Sequence, residues 1–188
     1  MRAALLLGAL ALGACAEPHR GPLERPDKAG APVGIEERIA ELERQAEGGT
    51  DPWPHYELAV LHEEQGDAER AIRAYGRAIN LLEPRTYTAP VFRLGVLHDR
   101  LGNTEAAARC FQEVVATVAG DSRRYQENPH YRLAAVGLRA AWEDLGLTPR
   151  REEELADLRA RFERDFGGTP EAWAAPPPWR AAPAGEGE

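Results

Sequence analysis

Two short stretches place a histidine beside a carboxylate, a combination used in acid–base catalysis and in metal binding. Residues 61–66 read LHEEQG, and residues 97–102 read LHDRLG. A zinc protease is excluded, because its HExxH motif needs a second histidine that neither stretch contains. His62 and His98 are then either packing residues at one repeated structural position, or a metal-binding or pH-sensing pair.

The two stretches belong to one longer repeat. His98 follows His62 by 36 positions, and the same spacing relates Leu58 to Leu94, Gly66 to Gly102, Ala71 to Ala107 and Tyr75 to Phe111. A period in this range indicates a solenoid. The pattern of paired small and apolar residues, Gly, and A-x-x-x-F resembles the tetratricopeptide repeat, with copies at 52–85 and 88–121. A divergent third copy or capping hairpin is expected at 129–167, where Leu138, Trp142 and Gly146 keep the first-helix spacing.

This resemblance implies an all-α fold, a right-handed helical-repeat solenoid of about seven helices over residues 34–167. Local chemistry agrees with it. Residues 68–82 carry a helical apolar stripe, and Gly66 can take the positive φ that ends a helix. Residues 34–49 predict a preceding helix that covers the first repeat.

The N-terminal region predicts export. Residues 3–14 form an apolar run that is shorter than the roughly 20 residues of a membrane span and fits a secretory signal. Its end, Leu12-Gly13-Ala14-Cys15, resembles a bacterial lipobox. That resemblance implies removal of residues 1–14, palmitate-type acylation of Cys15 and a Pro/Gly tether over residues 15–33. Ala16 then implies outer-membrane sorting, facing the periplasm. An ordinary signal that releases a soluble periplasmic or secreted protein, or a misassigned start, is the alternative.

Composition excludes several other functions. A formal net charge of -8 disfavours nucleic-acid binding. The sequence has no phosphate-binding loop and no G-x-S-x-G motif, so we expect neither an enzyme nor a cofactor or metal site. Cys110 lies in an amphipathic stretch and is expected to be a small core residue.

Resemblance to the tetratricopeptide repeat also implies a peptide-binding groove lined by the first helix of each copy. Tyr56 and Val60 replace the Lys and Asn of the carboxylate clamp found in some members. We therefore expect a peptide with apolar side chains and at least one Lys or Arg. The alternative is that the groove residues pack on a neighbouring helix or on the chain's own tail. The predicted peptide-binding residues are Tyr56, Val60, Glu63, Glu64, Phe92, Val96, Asp99 and Arg100, with Leu133, Val136, Ala140, Glu143 and Asp144 in the third copy.

Residues 168–188 are rich in Pro and Ala and predict a disordered tail. Trp173 and Trp179 leave open a tail that docks into the groove or serves as a ligand for another protein. The sequence as a whole favours a non-catalytic adaptor that binds a peptide segment of a multiprotein envelope assembly. A structural accessory that stacks on other subunits is the alternative, and an enzyme is less favoured.

Overall fold

The computed structural model describes residues 34–82, 88–117 and 129–180. The chain divides into two units, Met1–Ala31 and Pro32–Glu188, and every described residue belongs to the second. Cys15 and the predicted tether therefore lie outside the described residues. None of the helices in the described part of the chain has the length and apolar character needed to cross a bilayer.

The described residues form helices and contain no strand. Two 3-10 turns, Thr148–Arg150 and Pro178–Arg180, accompany the α-helices. The α-helices are α1 (Ile35–Ala46), α2 (Pro52–Glu64), α3 (Ala68–Leu81), α4 (Ala89–Arg100), α5 (Thr104–Ala116), α6 (Pro129–Asp144), α7 (Glu152–Arg164) and α8 (Pro170–Ala174). Helices α2–α7 pair as three successive hairpins, each packed on the next, and α1 covers the first. The predicted all-α helical-repeat solenoid is confirmed.

Each hairpin turns at a glycine in the left-handed region. Gly66, Gly102 and Gly146 have φ of 76°, 74° and 64°. One residue further on, a backbone N–H reaches back five positions to a carbonyl of the preceding helix, which is the Schellman arrangement. Those bonds are 2.9 Å long in all three turns, and their acceptors are His62, His98 and Trp142. The third hairpin therefore repeats the local geometry of the first two.

Two apolar clusters hold the hairpins together. Fully buried Tyr75 and Leu42 lie in the first, which joins α1, α2 and α3. Phe111 and Phe162, also fully buried, lie in the second, which extends from α4 to α8. Burial of side chains of this size, worth about 2 kcal/mol each, supplies most of the stabilisation between repeats.

Residues 168–180 are ordered, so the prediction of a disordered tail is wrong for this part of it. We call residues 168–180 the tail segment. Trp173 is 8% exposed and packs on Phe162 with ring centroids 5.3 Å apart. Pro177 is fully buried, and Trp179 packs against the second cluster. These few apolar contacts offset the entropy of ordering the segment, although its overall composition is that of a disordered chain.

Candidate peptide-binding groove

Three first helices, α2, α4 and α6, bring equivalent positions of the repeats into rows. One row is apolar and contains Tyr56, Phe92 and Val136. A second row is acidic and contains Glu63, Asp99 and Glu143. Each acidic residue lies seven positions, about two helical turns, beyond its apolar counterpart, so both rows share one helix face. This combination of apolar anchors and flanking carboxylates could hold a peptide that carries both an apolar side chain and a cation.

In the first repeat, aromatic side chains form the apolar part of the groove. Tyr56 is half-buried, and its ring centroid lies 5.8 Å from that of Trp53 and 6.0 Å from that of Tyr75. Burial raises the pKa of Tyr56, so its hydroxyl stays protonated at neutral pH. Val60 packs beside it, on the first cluster. The structure thus brings the predicted residues Tyr56 and Val60 together, with part of their surface still accessible.

Glu63 is already bonded within the solenoid. Its carboxylate accepts a 2.7 Å hydrogen bond from the Tyr75 hydroxyl and lies 3.2 Å from Arg100 Nη1 and 3.5 Å from Arg93 Nη1. Burial, and then the charge of Glu63, raises the pKa of Tyr75. Arg100 keeps half of its side chain exposed, and Glu64 is exposed. Glu63 therefore links α2 to α4 through these arginines, while Glu64 and the exposed half of Arg100 remain open to a partner.

In the second repeat, the tail segment lies over the groove. The Phe92 and Trp179 rings meet edge to face at a centroid distance of 5.7 Å. Phe92 and Val96 are each 8% exposed, and the Asp99 side chain is 2% exposed. The sequence left open whether the chain's own tail would cover these residues, and the structure places it there.

Asp99 accepts hydrogen bonds from both Trp179 and Arg180 of the tail segment. It accepts a 2.7 Å bond from the Trp179 indole N–H and a 2.7 Å bond from Arg180 Nε, while Arg180 Nη2 lies 2.5 Å from the other carboxylate oxygen. Arg180 Nη2 also lies 2.8 Å from Asp144 of the third repeat. The hydrogen bond to Asp99, above all other causes, raises the pKa of Arg180. The pair is bidentate, which is the strongest geometry available to a carboxylate and a guanidinium.

Arg139 is a groove-side residue that was not predicted from the sequence. This residue of α6 is 9% exposed, donates two 2.7 Å bonds to Glu143, and donates a 2.8 Å bond from Nη2 to the backbone carbonyl of Ala175. Its guanidinium also lies 5.9 Å from the Trp173 ring centroid. One signal was available, since a lone Arg in the run LAAVGLRAAW must find partners if that helix is buried.

The two histidines of the opening motifs each directly precede a carboxylate of the acidic row, Glu63 or Asp99. His62 is 5% exposed, and His98 is half-buried with a pKa lowered by burial and by the charge of Arg109. Within residues 34–82, 88–117 and 129–180, no group of three or more His, Cys, Asp or Glu side chains could hold a metal ion. Cys110 is half-buried, and burial raises the pKa of its thiol to about 11, so it is a poor nucleophile.

Comparison with known protein families agrees with this geometry. Residues 55–81 and 91–118 each match the family model described as tetratricopeptide repeat. The two matched stretches correspond to the hairpins α2–α3 and α4–α5. No curated protein and no solved structure matches the chain. These two stretches of the chain therefore match the tetratricopeptide repeat, which supports a role in protein–protein interaction.

Proposed function

We propose that this chain is a non-catalytic adaptor of the bacterial cell envelope. It binds a peptide segment of a protein partner through the groove and is anchored by a lipid on Cys15, most simply in the outer membrane facing the periplasm. The observation that carries the peptide-binding part is the pair of rows along α2, α4 and α6. Each carboxylate there lies seven positions beyond an apolar residue on the same helix face, so a peptide across the groove can contact both rows.

The matches to the tetratricopeptide repeat support binding of a protein partner. The exposed side chains of the first repeat support contact with that partner at this end of the groove. Tyr56 offers a partly accessible aromatic ring, and Glu64 and Arg100 offer accessible charges on the same side. Large aromatic side chains with a polar rim carry most of the binding free energy in protein interfaces. The lipid anchor is supported by the lipobox-like residues 12–15. More than one acyl chain is needed for stable membrane attachment, and a lipidated N-terminal cysteine supplies several.

In-cell photo-crosslinking tests the proposal. A photo-reactive residue is placed at position 56 of the full-length chain and, as a control, at Arg73, an exposed position on the second helix of the same repeat. We expect one specific protein partner from position 56 and none from position 73. The same proteins captured from both positions, or no partner captured from position 56, would refute the adaptor function.

A parallel experiment tests the anchor. Cells are grown with labelled palmitate, and the native chain is compared with Cys15→Ala. We expect the native chain to be labelled and to sediment with membranes, whereas Cys15→Ala is unlabelled and soluble. An unlabelled native chain that is found in the soluble fraction would instead support a secreted or periplasmic protein.

A further inference from the structure

The three carboxylates of the acidic row have different partners. Glu63 is held by Tyr75 and two arginines of the solenoid, and Glu143 is held by Arg139 of its own helix. The hydrogen bonds to Asp99 come from Trp179 and Arg180, which lie 80 and 81 positions further along the chain. Asp99 therefore differs from its two equivalents, because its bonding partners belong to a peptide laid across the groove.

From this difference we infer that Phe92, Asp99 and Asp144 form a receptor for a peptide in which Trp is directly followed by Arg. The chain's own tail segment is the built-in occupant, and a protein partner with the same Trp-Arg pair exchanges with it. This inference rests on the proposed adaptor function and names the chemistry of its partner. The end of the tail segment that exchanges is residues 175–180, which we call the arm.

The receptor selects Trp by two contacts at once. Its ring packs edge to face on Phe92 and lies 5.5 Å from the fully buried Phe111, and its N–H reaches Asp99 at 2.7 Å. A Phe or Leu in that place would fill the apolar space but would leave an oxygen of a nearly inaccessible carboxylate without that donor. Losing one of the hydrogen bonds to a charged group in such a site is costly, so the receptor discriminates against these residues.

Selection for Arg follows from the geometry of the next position. Nε and Nη2 of Arg180 bond the two oxygens of Asp99, and Nη2 also reaches Asp144 at 2.8 Å. A planar guanidinium can make all of these contacts together, whereas a lysine ammonium has no second donor atom with which to form the fork. The two carboxylates come from successive first helices, so one Arg joins the second repeat to the third.

The arm can leave without unfolding the rest of the tail segment. Trp173 and α8 pack on Phe162 of α7, upstream of the arm. Residues 178–180 contact α4, α5 and α6, through the Trp-Arg pair. Between Trp173 and Trp179 lie three consecutive prolines, at positions 176–178, and the Ala175 carbonyl, which accepts a hydrogen bond from the Arg139 guanidinium. Prolines have little φ freedom to lose, so a peptide of this type binds at a low entropic cost.

A covalently attached arm has a strong advantage over a free peptide. Short tethers give effective concentrations of about a millimolar, so a partner displaces the arm only if it binds more tightly or is locally enriched. Membrane anchoring of the chain and its partner would supply such enrichment. Occupation by the arm would then suppress weak, unspecific ligands until the correct partner is nearby.

Peptide binding to the purified full-length chain tests the receptor. The probe is a fluorescent peptide of residues 174–182, AAPPPWRAA, and its control has Ala in place of both Trp and Arg. We expect the probe to bind the Trp179→Ala/Arg180→Ala chain about tenfold or more tightly than the native chain, because the arm no longer competes. Adding Asp99→Asn should abolish this binding, and the control peptide should not bind. Equal binding to the native and double-variant chains, or no binding to either, overturns the inference.

A milder variant keeps the test valid if the double variant folds poorly. Arg180→Ala removes one partly exposed side chain and leaves Trp179 in place, and it should also increase probe affinity.

Light scattering of the native chain measures its oligomeric state and tests whether the arm binds a second copy. A native dimer that becomes monomeric on Trp179→Ala/Arg180→Ala would place the arm in a second copy and would overturn exchange with a different partner.

Partner recovery in cells separates this inference from the adaptor function. With the photo-reactive residue at position 56, the double variant should recover several-fold more partner than the native chain, and Asp99→Asn should recover less. Equal recovery from all three chains would overturn arm exchange but leave the adaptor function standing. Failure to recover a partner from any of the three chains would refute the adaptor function itself.

Discussion

Phe111 lies where three helices meet, and Gly137→Ala tests how closely they pack. A Cβ added at Gly137 of α6 would lie 2.8 Å from Phe111 Cε2 and 3.0 Å from Cδ2 and Cζ. The opposite edge of the ring faces Gly95 of α4, whose added Cβ would lie 2.8 Å from Cε1. Because a glycine backbone borders each edge, the ring cannot move away from one without meeting the other.

Two opposing effects set the change that Gly137→Ala makes in the free energy of unfolding. Overpacking of a filled core costs about 1–3 kcal/mol, and contacts this short on a blocked ring belong in the upper half of that range. Replacing Gly by Ala within a helix recovers about 1 kcal/mol. We therefore expect Gly137→Ala to lower the free energy of unfolding by about 1–2 kcal/mol, which for a domain of this size lowers Tm by roughly 2–8 °C.

Gly76→Ala is the matched control. Gly76 also lies inside a helix, α3, but an added Cβ would meet nothing within 4 Å there. Because no clash opposes the higher helix propensity of Ala, this variant should be more stable than the native chain by about 0.5–1 kcal/mol. Urea and thermal unfolding of both variants, followed by far-ultraviolet circular dichroism, measures the two effects with opposite signs.

A Gly137→Ala chain as stable as Gly76→Ala would refute the close packing around Phe111. The double variant Gly137→Ala/Phe111→Leu provides a further check. If the clash is with the ring, the Ala should cost less when a leucine side chain replaces that ring, giving a coupling free energy of at least about 1 kcal/mol. Strictly additive effects would mean that the Ala destabilises α6 for another reason.

Three further predictions concern single groups. Burial, and then the charge of Arg93, lowers the pKa of His130 to about 4, so the unfolded chain binds a proton between pH 6.5 and 4 that the folded chain does not. Stability should therefore fall by about 2 kcal/mol from pH 7 to pH 5, and His130→Phe should remove most of this fall in urea unfolding. In a Cys15→Ala chain, Cys110 should react with iodoacetamide at pH 8 slowly when folded and rapidly in urea, because partial burial raises the pKa of its thiol in the folded chain. Tyr75→Phe should cost about 1 kcal/mol in urea unfolding, through loss of the hydroxyl that bonds Glu63.

Each of these has a result that contradicts it. An unchanged pH profile in His130→Phe would mean that other groups cause the acid destabilisation. Equal alkylation rates for folded and unfolded chains would show that Cys110 is accessible. A Tyr75→Phe chain of native stability would mean that water replaces the hydroxyl at Glu63 without loss.

The repeats were predictable because their signals are local. A helical apolar stripe and a glycine that ends a helix depend on neighbours within a few positions, and a 36-residue spacing can be read directly along the chain. Gly95, which must lack a side chain beside Phe111, stands at a small-residue position of the repeat pattern. Gly137 and Arg139 have no such pattern, since their partners come from other helices.

The groove was only partly predictable for the same reason. The positions that share one helix face follow from helical spacing, so Tyr56, Phe92 and Asp99 could be assigned to it. Which of them stays accessible depends on contacts between distant segments. Trp179 reaches Asp99 across 80 positions, and no local pattern distinguishes that Trp from one in a disordered tail.

The sequence by itself determined α1–α7, their turns and the order in which the hairpins stack, because each is set by near neighbours. Only the tertiary structure decided that the tail segment is ordered, that Glu63 and Asp99 have different partners, and that Phe111 is bordered by two glycines. These features depend on which surfaces meet when the chain is packed. Their free energy comes from burial and hydrogen bonds between residues far apart in sequence.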